Sequence, residues 1–260
     1  MKKGPGKPST KLRGKAGGSK SAHDPRNLLT SLVLVFPLFL IYQTGVLFTL
    51  PVLNGADFLT VFLFRNLGLS TGSYLTYTFA VTVGFAIAVA VLRHKQRFDP
   101  QLIVPVLVES AIYALTMGSL IVFVMTRALG ISPQLAGGGG GGVGGFVAQR
   151  GLGTRIVMSL GAGVYEETVF RLGILSGLVV LFNRVFGLRR WIAFVIALLL
   201  SAVLFSAMHH IPPYGDPLHA GIFIFRVLAG LCFGLLFWYR GFAIAVYTHA
   251  LYDLYVFLLR

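Results

Sequence analysis

The chain has 260 residues, 56% of them apolar and only 12% charged, with a mean hydropathy of +0.81. A soluble domain carries about 25% charged residues, so lipid must face most of this surface and a soluble globular domain is excluded. The formal net charge of +14 would suggest nucleic acid in a soluble protein. Here the charges cluster beside apolar runs, which points to membrane topology and to no nucleic-acid partner.

Residues 1–27 hold Lys2, Lys3, Lys7, Lys11, Arg13, Lys15, Lys20 and Arg26 among Gly, Pro and Ser. They cannot bury enough apolar surface to offset the entropy of ordering, so a disordered basic tail is expected. Seven apolar runs follow, at 28–50, 74–92, 102–126, 156–182, 191–208, 218–238 and 242–259. Each approaches the roughly 20 residues that span a bilayer as a helix, and open strands could not satisfy their backbone there. The first run is longer than the roughly 7–15 residues of a signal peptide and reads as a retained anchor. Pro37 and Pro105 fall inside spans, where a kink is expected. Cys232 is the sole cysteine, so no internal disulfide can form.

The expected fold class is therefore all-α, a polytopic membrane bundle of about seven transmembrane helices. Its organisation reads as a tail (1–27), three N-terminal helices (28–127), a loop (128–152) and a four-helix core (153–260). The loop contains the nearly all-glycine stretch 137–145, which reads as a flexible connection, because no strand of a nucleotide fold precedes it. Arg93, Lys95, Arg97, Arg184, Arg189, Arg190 and Arg240 fall on the same side as the tail. Arg65, Arg127, Arg150, Arg155 and Arg260 fall on the other. The positive-inside rule then places the N-terminus in the cytoplasm and the C-terminus outside.

Four of eight acidic residues (Glu109, Glu166, Glu167 and Asp253) lie inside these spans, as do Arg171, Arg226, His209 and His249. A charge near mid-bilayer costs roughly 2.5–3.5 kcal/mol on insertion scales, which marks such residues as functional candidates. Glu167 and Arg171 stand four apart with the acid first, the favourable order for a helical ion pair. Glu166, about 100° around the helix, is left to face a different cavity. His209 ends the fifth span, with His210 beside it as a structural or interfacial residue. His249 and Asp253 share one helical face. Measured from the cytoplasmic ends at 1.5 Å per residue, Glu166, His209 and Asp253 lie roughly 24, 27 and 18 Å deep, with His249 shallower at roughly 12 Å. Helix tilt can bring all four into one pocket of the outer half.

The ordered set Glu166-Glu167-xxx-Arg171, Phe205-xxx-His209 and His249-xxx-Asp253 resembles the three motifs of the CAAX-protease and bacteriocin-processing family. Arg226-xxx-Gly230-xxx-Gly234 is similar to the family's linking pattern, and the likeness covers about residues 164–253. The resemblance implies an intramembrane endopeptidase, similar to type II CAAX prenyl endopeptidases, that cuts membrane-anchored or lipid-modified proteins near a terminus. It implies that Glu166 activates a water held also by His209, that His249 and Asp253 form the oxyanion site, and that Glu167 and Arg171 support them. Asp253 stands where the eukaryotic branch usually has Asn. Only a neutral acid can donate as an amide does; otherwise Asp253 orients or binds metal.

Two chemistries remain open: no cofactor, with Glu-activated water, or zinc held by Glu166, His209, His249 and Asp253. No HExxH pair is present, and the metal-free form is the expectation. The expected partners are a membrane-embedded protein or peptide substrate and the lipid bilayer. The expected location is the bacterial inner or plasma membrane. A transporter or proton channel would also carry intramembrane acids and histidines, but no internal repeat of the kind transporters show is visible. A non-catalytic immunity or scaffold member of the same fold is the other alternative.

Overall fold

The computed structural model describes residues 24–49, 70–132, 147, 149–211 and 216–259. Most of the expected tail and the glycine stretch 137–145 lie outside the described residues. Seven helices and no strand appear among those described. They are α1 (Leu28–Thr49), α2 (Thr71–Leu92), α3 (Ile103–Phe123), α4 (beginning at Leu152–Gly161 and ending at Ser176–Arg184), α5 (Arg190–Met208), α6 (Ala220–Arg240) and α7 (Phe242–Leu259). A short 3-10 turn, Pro100–Leu102, leads into α3, and a π turn, Val124–Ala128, ends it. Pro105 sits in the first turn of α3, where a missing N–H removes no helical bond.

All helices except α4 are long and apolar enough to cross a membrane, and the chain is a multi-pass integral membrane protein. α4 differs because two π-helical stretches, Ala162–Glu166 and Thr168–Leu175, interrupt it, and because it carries Glu166, Glu167 and Arg171. Successive helices reverse direction. One end of the bundle gathers the start of α1, the 93–102 connection, the 184–190 connection and the α6–α7 junction. Asn27 Nδ2 donates to the Arg97 carbonyl at 2.8 Å there, and the Asp99 N–H to Thr30 Oγ1 at 3.1 Å. Glu109, although inside α3, is held at this end. It accepts from Arg240 Nη2 at 2.6 Å and from the Tyr113 hydroxyl at 2.8 Å. It is therefore a structural ion-pair residue, and its position in a span was misleading.

α7 is the central helix, packing on α1, α3, α4 and α6, while α5 pairs along α6. Residues Phe242, Ala243, Ile244, Ala245 and Val246 are almost wholly buried. α2 is peripheral and packs on α1, with Phe85 stacked on Phe36 at 4.0 Å. Leu75, Phe79, Val83, Ile87 and Val91 form an exposed stripe along it, at the four-residue spacing of one helical face, as lipid requires.

Helices in lipid gain little from apolar burial between them, so close approach of small residues matters more. A Cβ on Gly163 would lie 2.6 Å from the Val246 carbonyl and 2.8 Å from Ala250 Cβ. α4 and α7 therefore touch backbone to backbone beside the acidic cluster. Gly163→Ala is expected to force them apart, costing about 1–3 kcal/mol as overpacking does. In detergent its apparent Tm should fall by several degrees, whereas Gly177→Ala, which meets nothing within 4 Å, should match the native protein. Equal melting of the two variants would contradict this packing.

Candidate active site

The site begins with the wide turns of α4. A π turn places successive side chains closer in angle than the roughly 100° of an α-helix, so Glu166 and Glu167 both look towards α7. Arg171 Nε lies 3.1 Å from Glu167 Oε2, and the two side chains are 1% and 0% exposed. Arg171 Nη2 also donates to the Gly230 carbonyl at 3.3 Å. Its guanidinium carbon lies 4.5 Å from the Phe205 ring centroid and 5.3 Å from that of Phe233, so two aromatic faces share the charge.

Glu167 does more than pair with Arg171. Its Oε1 lies 2.7 Å from His249 Nδ1, and a carboxylate can only accept, so Nδ1 carries the proton. The His249 ring stacks on Phe233 at 4.4 Å and 17°. Its remaining nitrogen, Nε2, lies 3.8 Å from Glu166 Oε2 and 3.8 Å from Asp253 Oδ2. The separate cavity expected for Glu166 is thus not found: one imidazole stands between both glutamates.

His209 follows the last residue of α5. Its Nδ1 lies 2.7 Å from the Phe205 carbonyl, which again assigns the proton to Nδ1 and turns Nε2 towards Glu166 Oε2, 3.6 Å away. This is too long for a direct hydrogen bond, yet one water can contact both atoms. Side-chain exposure is 10% for Glu166, 28% for His209 and 25% for Asp253, so the cluster opens on the His209–Asp253 side. His210 stays outside the cluster, with Nδ1 donating to the Asp216 carbonyl at 2.9 Å. Of the eight span residues marked as candidates in the sequence, six (Glu166, Glu167, Arg171, His209, His249 and Asp253) belong to one connected group, while Glu109 pairs with Arg240 and Arg226 with Asp216.

Zinc asks for three or four donors at about 2.0–2.2 Å, which sets tetrahedral donors about 3.4 Å apart. The 3.6 and 3.8 Å spacings around Glu166 and His249 approach this value. Even so, no group of three or more His, Cys, Asp or Glu side chains among the described residues is arranged to hold a metal ion. The cluster as it stands does not fit zinc.

Several contributors escaped the sequence reading. Asp216 pairs with Arg226 of α6; the signal was an acid just outside an apolar run that holds an arginine. Gln43, fully buried in α1, donates to the hydroxyl of Tyr165, the neighbour of Glu166, and accepts from that of Tyr74. Phe233 gave no signal, since one more phenylalanine in an apolar helix looks like any other.

A buried carboxylate–histidine cluster thus lies where α4, α5, α6 and α7 meet. Residues 149–255 match the family described as Rce1-like, type II CAAX prenyl endopeptidase Rce1-like. No curated protein and no solved structure matches the chain.

Proposed function

We propose that the chain is an intramembrane endopeptidase that hydrolyses membrane-anchored or lipid-modified proteins near a terminus through a Glu166-activated water. The observation that carries this reading is the Glu166–His209 pair. A carboxylate oxygen and an imidazole lone pair, 3.6 Å apart, can each accept one hydrogen of the same water. Glu166 takes a proton as the water oxygen bonds to the scissile carbonyl carbon. Negative charge then develops on the carbonyl oxygen, where a protonated His249 Nε2 and a neutral Asp253 would donate. Collapse breaks the C–N bond, and Glu166 returns its proton to the leaving amine. Glu167 holds the His249 ring from behind, and Arg171 neutralises Glu167.

The test is a comparison of membrane-protein termini in cells carrying the native chain or Glu166→Ala. Termini that shift only with the native chain identify substrates; identical terminal profiles would remove the protease reading.

Orientation follows from charge. The end bearing Arg93, Lys95, Arg97, Arg184, Arg189, Arg190 and Arg240 faces the cytoplasm, and the cluster opens nearer the other face. In a Cys232→Ala background, Gln149→Cys should react with an impermeant thiol reagent added to intact cells, and His94→Cys only after lysis. The reverse pattern would turn the site towards the cytoplasm.

Asp253 separates the two chemistries. If it donates as a neutral acid, Asp253→Asn keeps a donor in place. That variant should retain substantial activity and extend it to higher pH, where the native acid ionises. A zinc ligand would behave otherwise: the Asn variant would lose metal and be partly restored by added Zn²⁺. A dead, zinc-depleted Asn variant rescued by zinc overturns the metal-free reading.

A further inference from the structure

We propose that Asp216 and Arg226 form a clamp that positions the His209 imidazole against Glu166. The inference rests on the proposed role of His209 and adds two residues that act through it. His209 lies just beyond α5, where the regular helix has ended; its N–H bonds no further back than the Ser206 carbonyl, at 3.1 Å. Something else must set the direction of its backbone, and with it the ring held at the Phe205 carbonyl.

Asp216 supplies that hold. Its N–H donates to the His209 carbonyl at 2.9 Å, and its own carbonyl accepts from His210 Nδ1 at 2.9 Å. The Asp216 carboxylate pairs with Arg226, and the two side chains are 9% and 13% exposed. One turn before His209, the Ser206 hydroxyl donates to the Phe223 carbonyl at 2.8 Å, tying the same stretch of α5 to α6. Among the described residues, Arg226 Nη1 is buried and makes no hydrogen bond. Removing either charge leaves the other buried and uncompensated at the point that holds His209.

The rival role for Arg226, an anchor for a substrate carboxylate, is disfavoured because its spare nitrogen is shut off from the opening. Ring-nitrogen NMR of the full chain, labelled with ¹⁵N-histidine in detergent and assigned through His209→Gln, reads the positioning without substrate. The native protein should show His209 as a single tautomer protonated at Nδ1. Arg226→Gln should replace that signal by a broadened or averaged one, Arg226→Lys should largely preserve it, and Asp216→Asn, which keeps the side-chain shape, should behave like Arg226→Gln. With a cleaved substrate, Arg226→Gln and Asp216→Asn should lower kcat about tenfold to a hundredfold while KM stays within about twofold.

Unchanged His209 signals in both variants would overturn the clamp. So would a raised KM at native kcat together with loss of preference for a free over an amidated C-terminus, which would make Arg226 the anchor. If the native protein cleaves nothing, the protease reading fails, and the NMR outcome still judges the clamp.

Discussion

Glu166→Gln is expected to lower kcat by at least about a thousandfold, within the range that removal of a general base produces. The amide has the carboxylate's shape, so the fold should be retained; what is lost is the capacity to take a proton from water at neutral pH. The 3.6 Å separation from His209 Nε2 means that His209 alone can still hold the water, so KM should change little. His209→Ala and His249→Ala should each abolish measurable cleavage as well, by loosening the water and removing an oxyanion donor. The check is single-turnover cleavage by purified protein, with Tm measured in parallel. Native turnover by a well-folded Glu166→Gln would take Glu166 out of the chemistry and leave His209 as the candidate base.

The bundle was legible because lipid leaves a chain few options. Runs of about 20 apolar residues must be helices, and the observed α1, α5 and α7 end within a residue or so of their apolar runs. The acidic and histidine cluster was legible for the same reason, since each of its members is costly in that setting. Helix irregularity was not legible. Nothing in Ala162–Glu166 marks a π turn, yet that stretch leads into the pair of glutamates that both meet His249. Pairings across helices were hidden too. Glu109 carried the same intramembrane signature as Glu166, and only its contact with Arg240 at the bundle's end shows it to be structural. Asp216 looked like an ordinary loop acid because the residue it binds is ten positions away and a helix begins between them.

Arg171→Met is expected to reduce the amount of folded protein severalfold. Arg171 is 1% exposed and Glu167 0%, and among the described residues the guanidinium and the His249 ring are the groups in ion-pair contact with that carboxylate. Removing one member of a buried pair costs about 3–5 kcal/mol, a large share of the roughly 5–15 kcal/mol that holds a typical domain together. The two rings of Phe205 and Phe233 would lose the charge between them, and the Gly230 carbonyl would lose its donor. If the loss stems from the stranded carboxylate, neutralising it should repair the fold. Glu167→Gln/Arg171→Met should therefore recover most of the folded protein, because replacing both partners of a buried pair is often nearly neutral. Activity should recover less than folding. A glutamine oxygen can still accept from His249 Nδ1, but it no longer offers the charge that favours a protonated ring during oxyanion formation. Size-exclusion yield and thermal unfolding of the single and double variants decide the matter. A single variant that folds like the native chain and is merely slow would mean that Arg171 acts in the reaction and not as the support of Glu167.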